Sequence, residues 1–282
     1  MKIAVVGLGL IGGSMALVLK QKGFATKVYG VDNQEAHTKK ALELGIVDEI
    51  TDLDKAVAVS DLVILSAPVS ACAALLPGIL DQVEHQIILD TGSTKMSLLE
   101  AANGHTKRGR YIATHPMWGT EFSGPEAATE LAFTGRANVI CNASESDKDA
   151  LETVEQLYAL LGMYNVYMDG KDHDVHVAYV SHISHITSFA LANTVLEKEK
   201  EENAIFELAS AGFESTVRLA KSSPAMWVPI FQQNKENVLD VLNEHITQLR
   251  KFKSCIEKEN WAYLSELMEH ANKIRNVLDR KA

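Results

Sequence analysis

The sequence predicts a doubly wound α/β domain over residues 1–168 and an all-helical domain over residues 169–282. Up to about residue 167, apolar runs of strand length alternate with helical patterns, as expected of a sheet that carries helices on both faces. From about Lys171 the strand signals end and only long helical patterns follow. A length of 282 residues suits two domains, because single cores rarely grow beyond about 250 residues.

The first strand leads into a glycine-rich turn. Residues 3–6 form an apolar run that predicts a buried parallel strand, and glycines follow at positions 7, 9 and 12 before a helix. This GxGxxG spacing between a strand and a helix is typical of a dinucleotide-binding turn. We expect Gly7 to make the tight turn, Gly9 to let the backbone approach a pyrophosphate, and Gly12 to let the helix pack closely on the strand.

An acidic residue follows the second strand at the expected distance. Residues 27–31 form that strand, and Asp32 comes twenty residues after Gly12. A carboxylate there can accept hydrogen bonds from both ribose hydroxyls and would repel a 2′-phosphate. Because Asn33 follows rather than an arginine, the sequence favours NAD over NADP. The first domain is therefore expected to be a Rossmann-type domain, with further cofactor contacts from Leu10, Ile11, Ser66, Ala67 and Pro68.

The remaining elements of this domain continue the alternation. Further strands are predicted at residues 62–65, 86–89, 111–114, 137–141 and 164–168. Helices are predicted at residues 34–44, 96–102 and 147–161. In such sheets ligands bind beyond the carboxyl ends of the strands, so the residues just after each strand are the first candidates for function.

The second half is predicted to be helical throughout. The patterns extend over residues 173–202, 204–221, 226–257 and 261–280. The stretch 173–196 is apolar on more than one face, as expected of a helix that is buried on several sides. Because one small bundle is too small to enclose such a helix, we expect the helical domain to form a homodimer.

Composition excludes several classes of partner. The net charge is 27 minus 37, or −10, and no basic run is present, which argues against binding to nucleic acid or an anionic membrane. Cys72, Cys141 and Cys255 are far apart and match no metal-binding spacing, and the first two are expected to be inert thiols in or near the core. The chain starts directly with a strand rather than a signal segment, so we expect a protein of the reducing cytoplasm.

Two polar residues at strand ends are candidates for catalysis. His115 follows the strand at 111–114, where a nicotinamide ring is expected, and histidine can take a proton near neutral pH as hydride leaves an alcohol. A loop histidine that is hydrogen-bonded for structure is the alternative. Ser93 follows the strand at 86–89, and either a catalytic role or a capping role for the next helix is open.

The helical half contributes further candidates. His182 and His185 lie at i,i+3 spacing on one helix face, which fits substrate contacts or buried histidines better than a metal site, because a clustered third ligand is missing. Arg218 stands among small residues, and its planar guanidinium suits a substrate carboxylate. A surface arginine is the alternative.

Taken together, these pieces resemble the prephenate dehydrogenase family. Five stretches carry the resemblance, at residues 7–14, 90–95, 115–124, 173–185 and 212–227. They read GLGLIGGS, DTGSTK, HPMWGTEFSG, HDVHVAYVSHISH and GFESTVRLAKSSPAMW, and together they span roughly residues 1–235. The first is generic to dinucleotide enzymes, whereas the third and the fifth are specific.

The resemblance implies an NAD-dependent oxidative decarboxylation of prephenate to 4-hydroxyphenylpyruvate, in tyrosine biosynthesis. By the family's pattern His115 accepts the proton of the 4-hydroxyl, and Ser93 lies between His115 and the nicotinamide. Arg218 binds a substrate carboxylate, and we favour that of the side chain, because holding the departing carboxylate would stabilise the ground state. The pocket is expected to be lined by His182, His185, Thr120, Glu121 and Trp227.

One position departs from the pattern of some relatives. Glu214 stands where they have a lysine suited to pair with the acid at Glu121, so that pair cannot form and the two acids are expected to repel each other. From the extent of the sequence we also expect a monofunctional enzyme, without a regulatory or fused mutase domain. Three other functions remain open: arogenate oxidation by the same chemistry, a β-hydroxyacid dehydrogenase, which would need a helix-domain lysine that residues 173–196 do not offer, and a non-catalytic NAD-binding dimer.

Overall fold

The structure is a computed structural model that describes residues 1–200 and 205–278. Its contacts divide the chain into two compact units, Met1–Lys235 and a second unit that begins at Glu236. The glycine-rich turn and every candidate site residue lie in the first unit. In the parts of the chain that the structure describes, every helix is too short or too polar to cross a membrane.

An eight-stranded sheet forms the centre of the first unit, in the order β3-β2-β1-β4-β5-β6-β7-β8. Its strands are parallel except for β6 and β7, which pair antiparallel. The strands are β1 Lys2–Val6, β2 Lys27–Val31, β3 Glu49–Ile50, β4 Leu62–Leu65, β5 Ile87–Asp90, β6 Tyr111–Pro116, β7 Ala137–Cys141 and β8 Tyr164–Met168. The predicted doubly wound α/β fold is confirmed.

Helices cover both faces of this sheet. They are α1 Leu10–Gln21, α2 Glu35–Glu43, α3 Leu53–Val59, α4 Val69–Gln82, α5 Met96–Ala102 and α6 Lys148–Leu160. Alternate residues of β1 point to opposite faces, so Ile3 and Val5 pack in one buried apolar cluster, while Ala4 and Val6 pack in another. Burial on both faces explains why the strands read as continuous apolar runs.

Two helices and one strand of this unit are absent from the prediction. The strand β3 has only two residues, too few to show a period. The helix α3 is a seven-residue segment. The helix α4 contains Pro77 followed by Gly78, a pair that normally indicates a turn, yet its apolar face at Cys72, Leu76 and Ile79 is buried against the sheet.

In the described part of the first unit, four α-helices follow the sheet. They are α7 Gly170–Val177, α8 Ile183–Glu199, α9 Ala211–Val217 and α10 Pro224–Gln233. A π-helical turn at Ala178–His182 joins α7 to α8, so the predicted helix from His173 is continuous but widened at one turn. Its predicted end at Glu202, and the predicted start of the next helix at Ala204, lie outside the described residues.

Within one chain the first long helix is only partly buried, and its predicted burial on several sides in a homodimer stays a prediction. Ser188 is the one buried residue of α8, and Val180 and Leu196 are at least half exposed. The predicted helix from Met226 to Glu257 is also interrupted, because Asn234 leaves helical geometry and separates α10 from α11.

Over its described residues, 236–278, the second unit is helical. They are α11 Lys235–Glu257, which begins at the last residue of the first unit, α12 Trp261–Asn272 and α13 Arg275–Leu278. Asn260 caps α12 by accepting a hydrogen bond from the backbone N–H of Tyr263 at 3.2 Å. The predicted end of the last helix at Arg280 lies outside the described residues.

The cysteines are buried free thiols. Burial raises the pKa of both Cys72 and Cys141 to about 12, so they stay protonated at neutral pH. The expectation that these two thiols lie in or near the core is confirmed, and their low reactivity stays a prediction.

Candidate active site

The glycine-rich turn at the end of β1 has the close contacts that its glycines predict. Gly7 has a φ of +96°, and a Cβ on it would lie 2.5 Å from the backbone nitrogen of Ala67. A Cβ on Gly12 would lie 2.2 Å from the carbonyl oxygen of Gly7. By contrast, a Cβ on Gly9 would meet no atom within 4 Å. The turn is therefore tight on its protein side and open at Gly9, where α1 begins with Leu10 and Ile11.

Asp32 is held at the carboxyl end of β2 beside this turn. Its Oδ2 accepts a hydrogen bond from the backbone N–H of Leu8 at 2.9 Å, and its Oδ1 accepts one from that of Gln34 at 2.9 Å. Nδ1 of His37 lies 3.4 Å from Oδ2. Because each carboxylate oxygen has two lone pairs, the group keeps the capacity to accept from a ligand.

The ends of β4 and β5 lie side by side near the same turn. The hydroxyl of Thr91 donates to Oγ of Ser66 at 3.0 Å. The carbonyl of Ala67 accepts from the thiol of Cys72 at 3.3 Å, and Pro68 occupies the N-cap position of α4. The three residues predicted to contact a cofactor after β4 therefore lie between the glycine-rich turn and α4.

His115 stands near the end of β6 and is hydrogen-bonded to a second histidine. Its Nδ1 lies 2.8 Å from Nε2 of His173, which is fully buried on α7. Nδ1 of His173 in turn lies 2.8 Å from Oδ1 of Asp174. The strand thus meets the helical segment through a chain of two imidazoles and one carboxylate.

The pKa values of both histidines in this hydrogen-bonded series, His115 and His173, are lowered. Desolvation lowers the pKa of His115 well below its usual value of 6.5, and the nearby His173 and Lys95 lower it further. Burial also lowers the pKa of His173, against the opposing effect of the Asp174 carboxylate. Both rings are therefore neutral at pH 7, which is the form in which a histidine can accept a proton.

Asp174 is fixed by the start of α5. The backbone N–H groups of Lys95 and Met96 donate to its two oxygens at 2.8 and 3.0 Å. Lys95 holds the N-cap position of α5, and its side chain makes no capping bond. The alternative in which Ser93 caps this helix is therefore wrong: the helix begins too late for it, and Asp174 from a distant segment supplies the acceptor.

Ser93 lies half-buried in the loop between β5 and α5. The neighbouring Thr94 donates from its hydroxyl to Oε1 of Gln233 at 2.6 Å, which ties this loop to α10. The loop is therefore anchored on both sides of Ser93, by Asp90 at the strand end and by Gln233 through Thr94.

The strand residue before His115 contacts a buried ion pair between Lys95 and Asp90. The ammonium of Lys95 contacts Oδ2 of Asp90, and both side chains have no exposed surface. The same ammonium donates to the carbonyl of Thr114 at 2.5 Å, directly before His115. The hydroxyl of Tyr111 donates to Oδ1 of Asp90 at 2.8 Å, so the buried carboxylate is fully paired.

His182 and His185 lie together with Trp227, as their spacing on one helix face predicts. The rings of His185 and Trp227 are stacked with centroids 3.5 Å apart, and those of His182 and Trp227 meet edge to face at 5.9 Å. Burial lowers the pKa of His182 to about 4 and also lowers that of His185. Nδ2 of Asn234 lies 3.2 Å from Nδ1 of His182.

Both His115 and Arg218 lie within electrostatic reach of this cluster. The charge of a protonated His182 lowers the pKa of His115, and the guanidinium of Arg218 lowers that of His185. The indole N–H of Trp227 is buried and finds no acceptor in the described parts of the chain. A buried donor of this kind is costly unless it is paired, so it indicates a polar ligand or water at this point.

Arg218 contacts the loop after β6 rather than standing alone on the surface. Its Nη1 lies 2.9 Å from Oε2 of Glu121, and half of its side chain is exposed. The pKa of Glu121 is lowered by a hydrogen bond from the backbone N–H of Glu121 itself, and also by the nearby Arg218. In the same loop the hydroxyl of Thr120, an exposed residue, accepts from the backbone N–H of Phe122 at 3.3 Å.

The expected repulsion between Glu121 and Glu214 does not arise in this arrangement. Glu121 is paired with Arg218, and Oε1 of Glu214 lies 4.0 Å from Nζ of Lys221. Each acid therefore has a cation of its own, and Arg218 holds the place next to Glu121.

Comparison with known proteins identifies the family. A family model described as the nucleotide-binding domain of prephenate dehydrogenase matches residues 15–167, and one described as its dimerization domain matches residues 169–270. The chain belongs to the prephenate dehydrogenase family. A prephenate dehydrogenase of Bacillus subtilis is 30% identical over 280 residues, which is 98% of this chain and 76% of that relative.

Two solved structures of the family have the same fold. A crystal structure of prephenate dehydrogenase from A. aeolicus, in complex with hydroxyphenyl propionate and NAD+, has a TM-score of 0.87 and 31% identity over 99% of this chain and 98% of that one. Arogenate dehydrogenase from Synechocystis has a TM-score of 0.77 and 28% identity over 99% of this chain and all of that one.

In this member of the prephenate dehydrogenase family, the sequence did not predict three residues that support the histidines of the site. His173 and Asp174 are part of the family's pattern, yet no role followed from the pattern itself. Asn234 lies beyond the specific motifs and carried no signal. The adjacent His-Asp pair was the one available clue, because an acid next to a histidine can orient its ring.

Proposed function

We propose that the protein oxidises prephenate with NAD and releases 4-hydroxyphenylpyruvate and CO2. The observation that carries this proposal is the neutral His115 imidazole near the carboxyl end of β6, hydrogen-bonded to His173 and within electrostatic reach of His182 in the cluster with Trp227. A base beside a carboxylate-binding group is what the oxidation of a hydroxylated diacid requires.

The chain has the features that would hold NAD. The open backbone at Gly9 and the N–H groups of Leu10, Ile11 and Gly12 in the first turn of α1 suit a pyrophosphate, because these groups have no acceptor within the helix. Asp32 has acceptor capacity for the ribose hydroxyls, and Ser66, Ala67 and Pro68 would line the approach. When bound, NAD supplies the hydride acceptor.

His115 would act as the general base. As the hydride leaves C4 of prephenate, the lone pair of the ring takes the proton from the 4-hydroxyl, and the C–O bond becomes a carbonyl. The bond to the ring carboxylate then breaks and CO2 departs. The electron pair of that bond enters the ring, the carbonyl oxygen takes the proton back from His115, and the ring becomes an aromatic phenol. Ser93, in the loop after β5, is assigned to the same reacting end and would orient the hydroxyl.

Arg218 would bind the side-chain carboxylate of the substrate. Nη1 contacts Glu121, and a guanidinium has five N–H donors, so others remain for a second carboxylate. His182, His185, Thr120 and Trp227 would line the cavity between this end and His115. The unpaired indole N–H of Trp227 supports a polar contact with substrate.

We further propose that the protein works as a homodimer. Although α8 is apolar in composition, its Leu196 is half exposed in one chain. Val180, in the turn before α8, is also exposed. The match of residues 169–270 to a dimerization domain supports a partner chain on this face. We also propose that the NAD-binding domain ends at residue 168 and the helical domain begins at residue 169.

Steady-state kinetics with two substrates tests the proposed function. Prephenate and arogenate should be compared at saturating NAD by kcat/KM, with absorbance of NADH as the readout. A higher kcat/KM for prephenate supports the proposal. A higher value for arogenate would reassign the substrate, a reading that similarity to the Synechocystis arogenate dehydrogenase also favours. Absence of turnover with both would leave a non-catalytic NAD-binding dimer.

A further inference from the structure

We propose that His173 and Asp174 are positioning residues that fix the tautomer of His115, so that Nε2 of His115 carries the free lone pair. The inference deepens the proposed function and rests on it for the role of His115 as base. The geometry that supports it is the chain from Asp174 through His173 to His115, with two successive distances of 2.8 Å.

The direction of these bonds follows from the carboxylate. Both oxygens of Asp174 already accept backbone N–H groups, from Lys95 at 2.8 Å and from Met96 at 3.0 Å. An ionised carboxylate can only accept, so the proton in its contact with His173 must sit on Nδ1 of the histidine. Asp174 thereby acts as a fixed acceptor at the far end of the chain.

The second bond is then determined. A neutral imidazole with a proton on Nδ1 has its lone pair on Nε2, and Nε2 of His173 is the atom that faces His115. Nδ1 of His115 must therefore donate. In a neutral His115 this leaves Nε2 without a proton, which is the state that a general base requires.

Burial maintains this arrangement. His173 has no exposed surface and Asp174 is 3% exposed, so water cannot compete for the hydrogen bonds between them. Desolvation favours the neutral form of both rings. A free imidazole in water exchanges between its two tautomers. Here the tautomer of His115 with its proton on Nε2 is disfavoured, because the lone pair on its Nδ1 would face the lone pair on the buried Nε2 of His173.

Three substitutions separate the positioning role from a structural one. His173→Leu removes the acceptor for His115. His173→Gln restores it, because a glutamine amide presents an acceptor oxygen and a donor nitrogen about as far apart as the two ring nitrogens. His105→Gln is the matched control, because Nε2 of His105 lies 3.1 Å from Oδ1 of Asp81 in a pair outside the site.

The decisive readout is ¹⁵N NMR of the histidine side chains, with the His115 signals assigned by their loss in His115→Asn. In the protein without substrate, the Nε2 signal of His115 should be that of an unprotonated nitrogen. It should remain so in His173→Gln and His105→Gln and shift toward the protonated position in His173→Leu. In parallel, His173→Leu should lower kcat by about 10- to 100-fold, as when a partner that orients a ring is lost, while His173→Gln recovers most of it.

The outcomes are distinguishable from failure of the proposed function. A protonated Nε2 in the unaltered protein, or an unshifted signal in a folded His173→Leu, overturns the inference whatever the enzyme does. If His173→Leu unfolds, the test passes to His173→Gln. Loss of the unprotonated Nε2 signal of His115 in folded His173→Gln would then overturn the inference as well. Absence of turnover with an unprotonated Nε2 would count against the proposed function alone.

Discussion

Nη1 of Arg218 lies 2.9 Å from Oε2 of Glu121, although 97 residues separate the two in the sequence. The contact brings the segment after α9 against the loop after β6, the strand that carries the proposed base His115. It therefore places a cation whose other donors are available at the side of the histidine cluster. Arg218 is half exposed, and its charge is accessible to a ligand that enters from solvent.

Replacing Arg218 should weaken substrate binding more than it slows the chemical step. Arg218→Gln removes a charged donor for the substrate carboxylate, a contact worth about 1.5–3 kcal/mol, and should raise KM about 10- to 100-fold with a smaller change in kcat. Initial rates as a function of prephenate concentration measure both. The control is Lys221→Gln, a neighbouring exposed cation, and unchanged kinetics in Arg218→Gln would remove Arg218 from the site.

Removing the base should affect kcat rather than cofactor binding. His115→Asn keeps a polar side chain of similar reach but cannot accept a proton at neutral pH, so kcat should fall about 100-fold or more. NAD affinity, measured by fluorescence titration, should stay the same. His105→Asn serves as control, and a His115→Asn enzyme of near-normal kcat would assign the proton transfer to another group.

The pH profile should show the effect of burial on this base. The pKa of His115 lies well below 6.5, and in the proposed mechanism its neutral form is the active one. The acidic limb of kcat/KM should therefore fall off only below pH 6.5, with activity retained between pH 6.5 and 8. Rates measured from pH 4.5 to 8, with stability checked at each pH, would test this, and an inflection above pH 6.5 would contradict it.

Protein stability should decrease in acid because His182 is buried in its neutral form. Its pKa is about 4 in the folded protein against 6.5 as its ordinary value, so the unfolded chain binds a proton that the folded one excludes. The cost is absent above pH 6.5, grows as pH falls and reaches about 3 kcal/mol near pH 4, at 1.36 kcal/mol per pKa unit. Urea unfolding at several pH values should show a shallower loss in His182→Gln than in the unaltered protein. Equal slopes would mean that His182 does not contribute.

Cofactor choice should depend on the charge of Asp32. Asp32→Ser should raise the ratio of kcat/KM for NADP to that for NAD about 10-fold, because a carboxylate near the 2′-phosphate costs one to a few kcal/mol. Assays with both cofactors give the ratio directly. Glu35→Ser is the matched control, since Glu35 is a nearby acid whose side chain is 79% exposed. A ratio that is equally low in both variants would assign the preference elsewhere.

Local patterns were sufficient to predict much of the fold. The predicted helix at 96–102 coincides with α5, and the predicted strands at 137–141 and 164–168 coincide with β7 and β8. These elements are either buried runs between turns or amphipathic segments, so their pattern is complete within a few residues. The two-residue β3 and the proline-containing α4 escaped, because their order depends on neighbouring elements rather than on their own sequence.

The sequence by itself determined the glycine-rich turn, the alternation of the sheet domain and the set of polar residues at strand ends, because each is encoded in residues that are close along the chain. Only the tertiary structure decided that Asp174 rather than Ser93 serves the start of α5, that His173 contacts His115, and that Arg218 rather than residue 214 pairs with Glu121. These contacts join segments 58 to 97 residues apart. Such pairings follow from how buried faces pack and which polar groups then lack water, and neither is written in local spacing.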